Sequence, residues 1–145
     1  MSYWDTSALG KLYFPEPDSA SFVQKAATDP IIVASRFALY EKRRVAFRKE
    51  IEKLIPAGTA ESVLTQVDQD ITAGQIRLVE MNLQTKVEFN RIITSCYRHT
   101  VPLPIRTLDA LHLASACADG QTELVATDKR MRDAAKLLGL SIFPT

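Results

Sequence analysis

The chain is poor in the features that mark special classes of protein. Its 145 residues include only two cysteines, Cys96 and Cys117. Two are too few for a disulfide scaffold, and they show no metal-ligand spacing, so a reducing compartment is the simpler expectation. Neither sign of charge is in excess: 18 Lys plus Arg stand against 17 Asp plus Glu, for a net charge of +1. That excludes a grossly basic nucleic-acid coat and an acidic tail, while a local basic patch remains compatible with it. Long hydrophobic runs are missing. Strictly apolar stretches such as residues 31–34 fall far short of the roughly 20 residues that span a bilayer. The opening residues lack the basic and apolar regions of a signal peptide, so a soluble, cytoplasmic protein without membrane contact is expected. No internal repeat, low-complexity stretch or linker divides the chain, and residues 1–145 are read as one domain.

What is present is a globular pattern. Apolar residues make up 46% and charged residues 24%, which excludes a disordered chain. Short apolar strands alternate with helical periods. Strands are predicted over residues 2–5, 30–34, 76–80, 123–127 and 140–143. Residues 6–14 carry Leu9, Leu12 and Tyr13 at helical spacing before Pro15. Asp18 is a candidate cap for a second helix, with Phe22, Val23 and Ala26 on its inner side. A long helix is predicted from Ser35 to about Leu54, with Phe37, Tyr40, Val45, Ile51 and Leu54 as core candidates. Residues 59–73 repeat the period through Val63, Leu64, Val67 and Ile71, and Gly74 fits a stop. Residues 84–98 place Val87, Ile92, Ile93 and Cys96 inward. Thr107 is the expected cap of the next helix, which Gly120 ends. Asp128 can cap residues 129–138. Such alternation predicts an α/β fold of three layers, α/β/α, around a central, mostly parallel sheet.

That topology sorts the acidic residues. Ligands of open parallel sheets bind beyond the carboxyl ends of the strands. Asp5 is predicted to end the first strand and Asp128 the fourth. Glu41 falls about two turns into the helix after the second strand, and Asp109 in the first turn of the helix leading to the fourth. All four can project to one edge of the sheet. Four carboxylates there repel one another unless a cation joins them. Hard divalent cations take oxygen ligands, so metal-assisted attack of water on a phosphodiester is the chemistry suggested. Residues 42–49 hold five basic side chains in eight positions, among them Arg43 and Arg44. Asp128 is followed by Lys129 and Arg130. An acidic pocket rimmed by cations suits a polyanion, and these four are the candidate contacts to it.

Four segments carry a family resemblance. Tyr3-Trp-Asp-Thr-Ser-Ala-Leu9 resembles the opening of PIN-domain ribonucleases. Ser35-Arg-Phe-Ala-Leu-Tyr-Glu41 resembles their second acidic helix, and Thr107-Leu-Asp-Ala-Leu-His-Leu-Ala114 their third. Ala126-Thr-Asp-Lys-Arg-Met131, with Leu138-Gly-Leu140, is similar to their C-terminal signature. The resemblance spans the chain, and a domain of this length is most similar to VapC-type toxins. It implies Asp5, Glu41, Asp109 and Asp128 as catalytic and metal-binding acids. Thr6, Ser7 and Thr127 match hydroxyl positions that support them. It further implies a Mg²⁺- or Mn²⁺-dependent endoribonuclease acting on transfer or ribosomal RNA, held by a cognate antitoxin and forming a homodimer. Trp4 departs from the pattern, being bulky for the residue before the first acid.

Each residue also has a plainer explanation. Asp5 and Asp128 can be helix caps, and Asp109 a first-turn acid favoured by the helix dipole. Glu41 can be a solvated helix residue, and residues 42–49 a solvated face. His112 reads as a packed core histidine, and Tyr13 and Phe14 as core or dimer surface. Thr6 and Ser7 are not read as nucleophiles, because no histidine is evidently placed to activate them. A phosphatase that needs a second aspartate two residues after the first is disfavoured by Ser7, which stands at that place. A silent RNA- or partner-binding module on the same fold is the remaining alternative.

Overall fold

The computed structural model describes residues 1–145. Five strands form one sheet: β1 (Ser2–Trp4), β2 (Ile32–Ser35), β3 (Ile76–Val79), β4 (Glu123–Val125) and β5 (Ser141–Phe143). Their order is β3-β2-β1-β4-β5, and every pair is parallel. Helices α1 (Thr6–Gly10) and α2 (Ser19–Thr28) join β1 to β2. Helices α3 (Phe37–Ile51) and α4 (Thr59–Thr72) join β2 to β3, and α5 (Leu83–Tyr97) and α6 (Thr107–Ala118) join β3 to β4. Helix α7 (Lys129–Leu137) leads into β5. The expected α/β/α architecture is present.

Alternation along each strand divides the core in two, because successive side chains point to opposite faces. Tyr3, Val33 and Leu124 join a cluster with Ile92 and Cys96 of α5, Leu113 of α6 and Met131 of α7. Their neighbours Trp4, Ala34 and Val125 join the opposite cluster with Leu9, Phe22 and Val67. The bulk of Trp4 is absorbed there. It is fully buried, meets Phe22 edge-on at 6.2 Å, and its indole N–H donates to Ser2 Oγ at 3.1 Å. A smaller third cluster sets Phe14 against Ala46 and Ala60. No helix is long and apolar enough to cross a membrane.

Several sequence expectations need correction. Tyr40, Ile51, Leu54, Val23 and Val87 are exposed, not core. On α3 the buried stripe is Ala38, Lys42 and Ala46, and Tyr40 lies off that line; on α5 Ile92 and Cys96 are buried as expected, with Thr85, and Ile93 packs against the core, while Val87 does not. Phe22 and Ala26 do pack as expected, but Val23 points away on α2. Ser35 belongs to β2 and does not open α3. Arg36 takes that position without a side-chain cap bond. Arg106, not Thr107, is the cap residue of α6. Asp18 stands at the cap of α2 but makes no cap hydrogen bond; Lys11 holds it at 2.7 Å instead. Strand β4 ends at Val125, so Asp128 lies three residues past the strand.

Candidate active site

The central strand β1 lies between β2 and β4, and the connections run to opposite sides of it. This is where the strand order reverses, and where a crevice opens at the carboxyl ends of the strands. Asp5 follows β1 directly and caps α1: its N–H donates to Val125 O at 3.1 Å, and its Oδ1 accepts from Ala8 N–H at 2.7 Å. The residue is 3% exposed. Burial pushes its carboxyl up to about 6; the Ala8 bond and the His112 imidazole oppose this, while the charges of Glu41 and Asp109 add to it. Three of the four expected acids therefore sense one another.

Glu41 rises from α3 and is fixed at one oxygen. Its Oε1 accepts from Thr6 Oγ1 at 2.7 Å and lies 2.8 Å from His112 Nε2. The other imidazole nitrogen, Nδ1, lies 2.8 Å from the Tyr3 hydroxyl. A proton on Nε2 satisfies the set: His112 donates to Glu41, and Tyr3 donates to His112. Burial acts to raise the Glu41 carboxyl, but the bonds from His112 and Thr6 and the charge of Arg44 outweigh it and hold the group below its ordinary value. Burial drives the Tyr3 phenol far up, so it stays protonated as a donor. Phe37 covers the imidazole, with ring centroids 4.5 Å apart.

His112 is thus buried, as a packed histidine should be, yet it also positions a site acid. Its Nε2 lies 3.3 Å from Thr6 Oγ1, so the expectation of no histidine near this hydroxyl is corrected. The contact does not make Thr6 a nucleophile, since Thr6 gives its proton to Glu41. The sequence held a signal for His112: it follows Asp109 by three residues on α6, which places both on one helix face.

Asp109 sits in the first turn of α6 with its side chain 14% exposed, and Arg106 Nε approaches it at 3.4 Å. Asp128 caps α7, its Oδ1 accepting from Met131 N–H at 2.9 Å. No three His, Cys or carboxylate groups stand close enough to form a ready metal cluster. The donor set nevertheless has the chemistry a hard cation requires. It is all oxygen, its anchor Asp5 is buried and bonded through one oxygen, and the charges of Glu41 and Asp109 act on that anchor.

The hydroxyls of Thr6, Ser7 and Thr127 line one cleft beside these acids, with Lys42 and Lys49. The candidate RNA contacts are unevenly free. Arg43 pairs with Glu61 at 3.0 Å and lies over the Phe47 ring, and Lys129 pairs with Asp133 at 2.6 Å. Arg44 and Arg130 are exposed. Arg132 ties α7 to the chain end through Ala126 O and Pro144 O. Phe14 is core, and Tyr13 donates its hydroxyl to Asp70.

A parallel five-stranded sheet with acids gathered at its central carboxyl edge defines a class, and residues 2–137 match the PIN-domain family along their length. The chain belongs to that family, as its four motifs led one to expect. It is 30% identical over 142 residues to Ribonuclease VapC46 of Mycobacterium tuberculosis, covering 97% of this chain and 94% of that protein. Among solved structures it resembles a chain of FitAcB from Neisseria gonorrhoeae, with a TM-score of 0.71 and 19% identity over 99% of this chain and 96% of that one. It also resembles a chain of VapBC2 from Rickettsia felis bound to a DNA fragment from their promoter, with a TM-score of 0.67 and 16% identity over 98% and 97%. At those identities the likeness concerns the fold.

Proposed function

We propose that the protein is a metal-dependent endoribonuclease and the toxin of a toxin–antitoxin pair. The observation that carries this reading is Asp5: a carboxylate buried at the end of the central strand, raised by desolvation and, to a lesser degree, by the charges of Glu41 and Asp109. Asp5, Glu41, Asp109 and Asp128 are the residues to hold Mg²⁺ or Mn²⁺. When bound, such an ion supplies the positive charge that polarises a phosphodiester and lowers the pKa of the attacking water. The chain's own part is positional. Thr6 and His112 lock Glu41 Oε1, so the carboxylate presents its other oxygen in one orientation. Arg44 and Arg130 supply charge for the RNA strand. The named relative, a VapC ribonuclease, and the fold shared with VapBC and FitAB complexes support the substrate class and an antitoxin partner. Exposed apolar side chains such as Tyr40, Leu83, Val87 and Val101 offer surface for that partner and for a second copy of the chain.

The test is cleavage of a mixed transfer and ribosomal RNA pool with Mg²⁺ and with EDTA. Cleavage by the wild type in Mg²⁺ alone, lost in Asp5→Asn, is the expected result. A second reading, a silent RNA- or partner-binding module, draws on the Arg106–Asp109 pair and the absence of a ready cluster. Tight RNA binding without cleavage under any divalent ion would establish it instead.

A further inference from the structure

Helix α3 buries a stripe whose members are four residues apart: Ala38, Lys42 and Ala46. Spacing calls for an apolar residue in the middle, and a lysine stands there. It is 1% exposed, and its Nζ has no hydrogen-bond partner. The rings of Tyr13 and Phe14 lie 4.8 and 5.0 Å from that nitrogen. They attract the cation but leave its N–H donors unmade. The nearby Glu16 does not pair with it, being held by Lys11 at 2.9 Å. A buried ammonium without a counter-charge is costly, and an anion reaching it would offset that cost.

The space next to it has the right form. A cleft of about 280 Å³ opens between α1 and α3, lined among others by Thr6, Ser7, Lys42, Lys49 and Thr127, and by Glu16, whose charge Lys11 offsets. Lys49 adds a second cation, and the hydroxyls of Ser7 and Thr127 add donors, the Thr6 proton being given to Glu41. Gly10 lies beside the ammonium: a Cβ there would stand 3.7 Å from Lys42 Nζ, at ordinary contact distance. The cleft joins the acids through Thr6, which also bonds Glu41, and through Thr127, which precedes Asp128.

We propose, on the reading of the protein as a ribonuclease, that this cleft is a second phosphate subsite. It seats the backbone phosphate next to the one that is cut, with the Lys42 ammonium as its floor. A tetrahedral anion with several acceptor oxygens suits two ammonium groups and a set of hydroxyl donors. A carboxylate from a protein partner presents fewer acceptors and is the competing outcome of the test.

The experiment compares wild type with Lys42→Met, a side chain of similar length without the charge. Inorganic phosphate is titrated in EDTA, and amide shifts of Ser7 and Gly10 are followed by NMR. Wild type should show saturable shifts, weakened at least tenfold in the variant, and the variant should melt no lower than wild type. RNA carrying one neutral methylphosphonate beside the cut should raise KM several-fold for wild type and leave that of Lys42→Met unchanged. Should Lys42→Met fold poorly, Lys49→Met serves in its place, since it leaves the buried stripe of α3 intact, removes the second cation of the cleft and should weaken phosphate several-fold. Equal phosphate binding in wild type and variant, with a lower melting temperature for the variant, would make Lys42 a packing element and overturn the proposal. So would shifts induced by a Glu-containing peptide but not by phosphate. If wild type binds phosphate through Lys42 yet cleaves no RNA, the ribonuclease reading fails while the anion site stands.

Discussion

Asp5 and Asp128 do the same local work in two neighbouring corners of the sheet. Each follows a strand, adopts an extended backbone, and accepts a bond from the N–H three residues on, at 2.7 and 2.9 Å. Their surroundings differ. Asp5 abuts its strand directly, under the cover of α6 and α3, and its carboxyl is raised to about 6 by burial. Asp128 comes after two further residues and is half-buried. A capping aspartate is thus ordinary until packing strips it of water. Desolvation and neighbouring charge, not the cap, set the carboxyl of Asp5 apart from that of Asp128.

The largest expected effect comes from removing the charge of Asp5. Asp5→Asn keeps a good cap and should abolish cleavage. It should also stabilise the metal-free protein. In the native state the carboxyl takes up a proton near pH 6, against an ordinary value of 3.8. The folded state therefore binds that proton more tightly, and this contribution to stability is present below about pH 4 and lost as pH rises through 6. At pH 7.5 in EDTA the variant should exceed wild type by about 3 kcal/mol, at roughly 1.4 kcal/mol per pKa unit. The gap should close toward pH 4. Denaturant melts at both pH values check this, and an equal stability at pH 7.5 would remove the contrast.

The matching change at the other corner should act differently. Asp128→Asn should alter stability by less than about 0.5 kcal/mol, and Asp128→Ala should lower it by about 1 kcal/mol through loss of the cap. Both should impair cleavage if the residue serves the metal site. Full activity in both would reduce Asp128 to a cap.

Smaller effects should follow from the support of Glu41. Tyr3→Phe removes the hydroxyl beside His112 Nδ1 and should cost about 1 kcal/mol. Because it frees the imidazole to turn, it should lower kcat more than it raises KM. An unchanged kcat would limit the Tyr3–His112–Glu41 chain to stability.

The weakest effect is expected at the exposed cations. Changing Arg44 and Arg130 to Glu should flatten the salt dependence of RNA binding, by about 0.7 in log–log slope for each phosphate that is no longer neutralised. Arg43→Glu should do less, since Arg43 is already paired with Glu61. An unchanged slope would assign this face to the protein partner.

Strand and helix order was legible in the sequence because period and punctuation are local. Runs such as residues 31–34, with glycines after α4, α6 and α7, need no tertiary knowledge. Placing Asp5 and Asp128 at the carboxyl edge followed from alternation alone, since parallel strands joined by helices all end on the same side. Helix faces were less legible. The apolar residues of α3 suggested an inward side that the fold turns to solvent, because its stripe of two alanines and a lysine packs closer than larger side chains allow. For the same reason residues 42–49 read as one basic face, whereas the fold divides them among core, cleft and surface.

Sequence by itself determined the elements, their parallel alignment and the place of Asp5 directly after its strand, because these depend on spacing along one chain. Tertiary structure decided which acids lose water, that His112 reaches Glu41 from 71 residues away, and that Lys42 is sealed against Tyr13 and Phe14 without a partner. Those are matters of dielectric and of contact between distant segments. A carboxylate or an ammonium carries the same charge in any sequence, and only the packing around it sets what that charge costs and which ligand can relieve it.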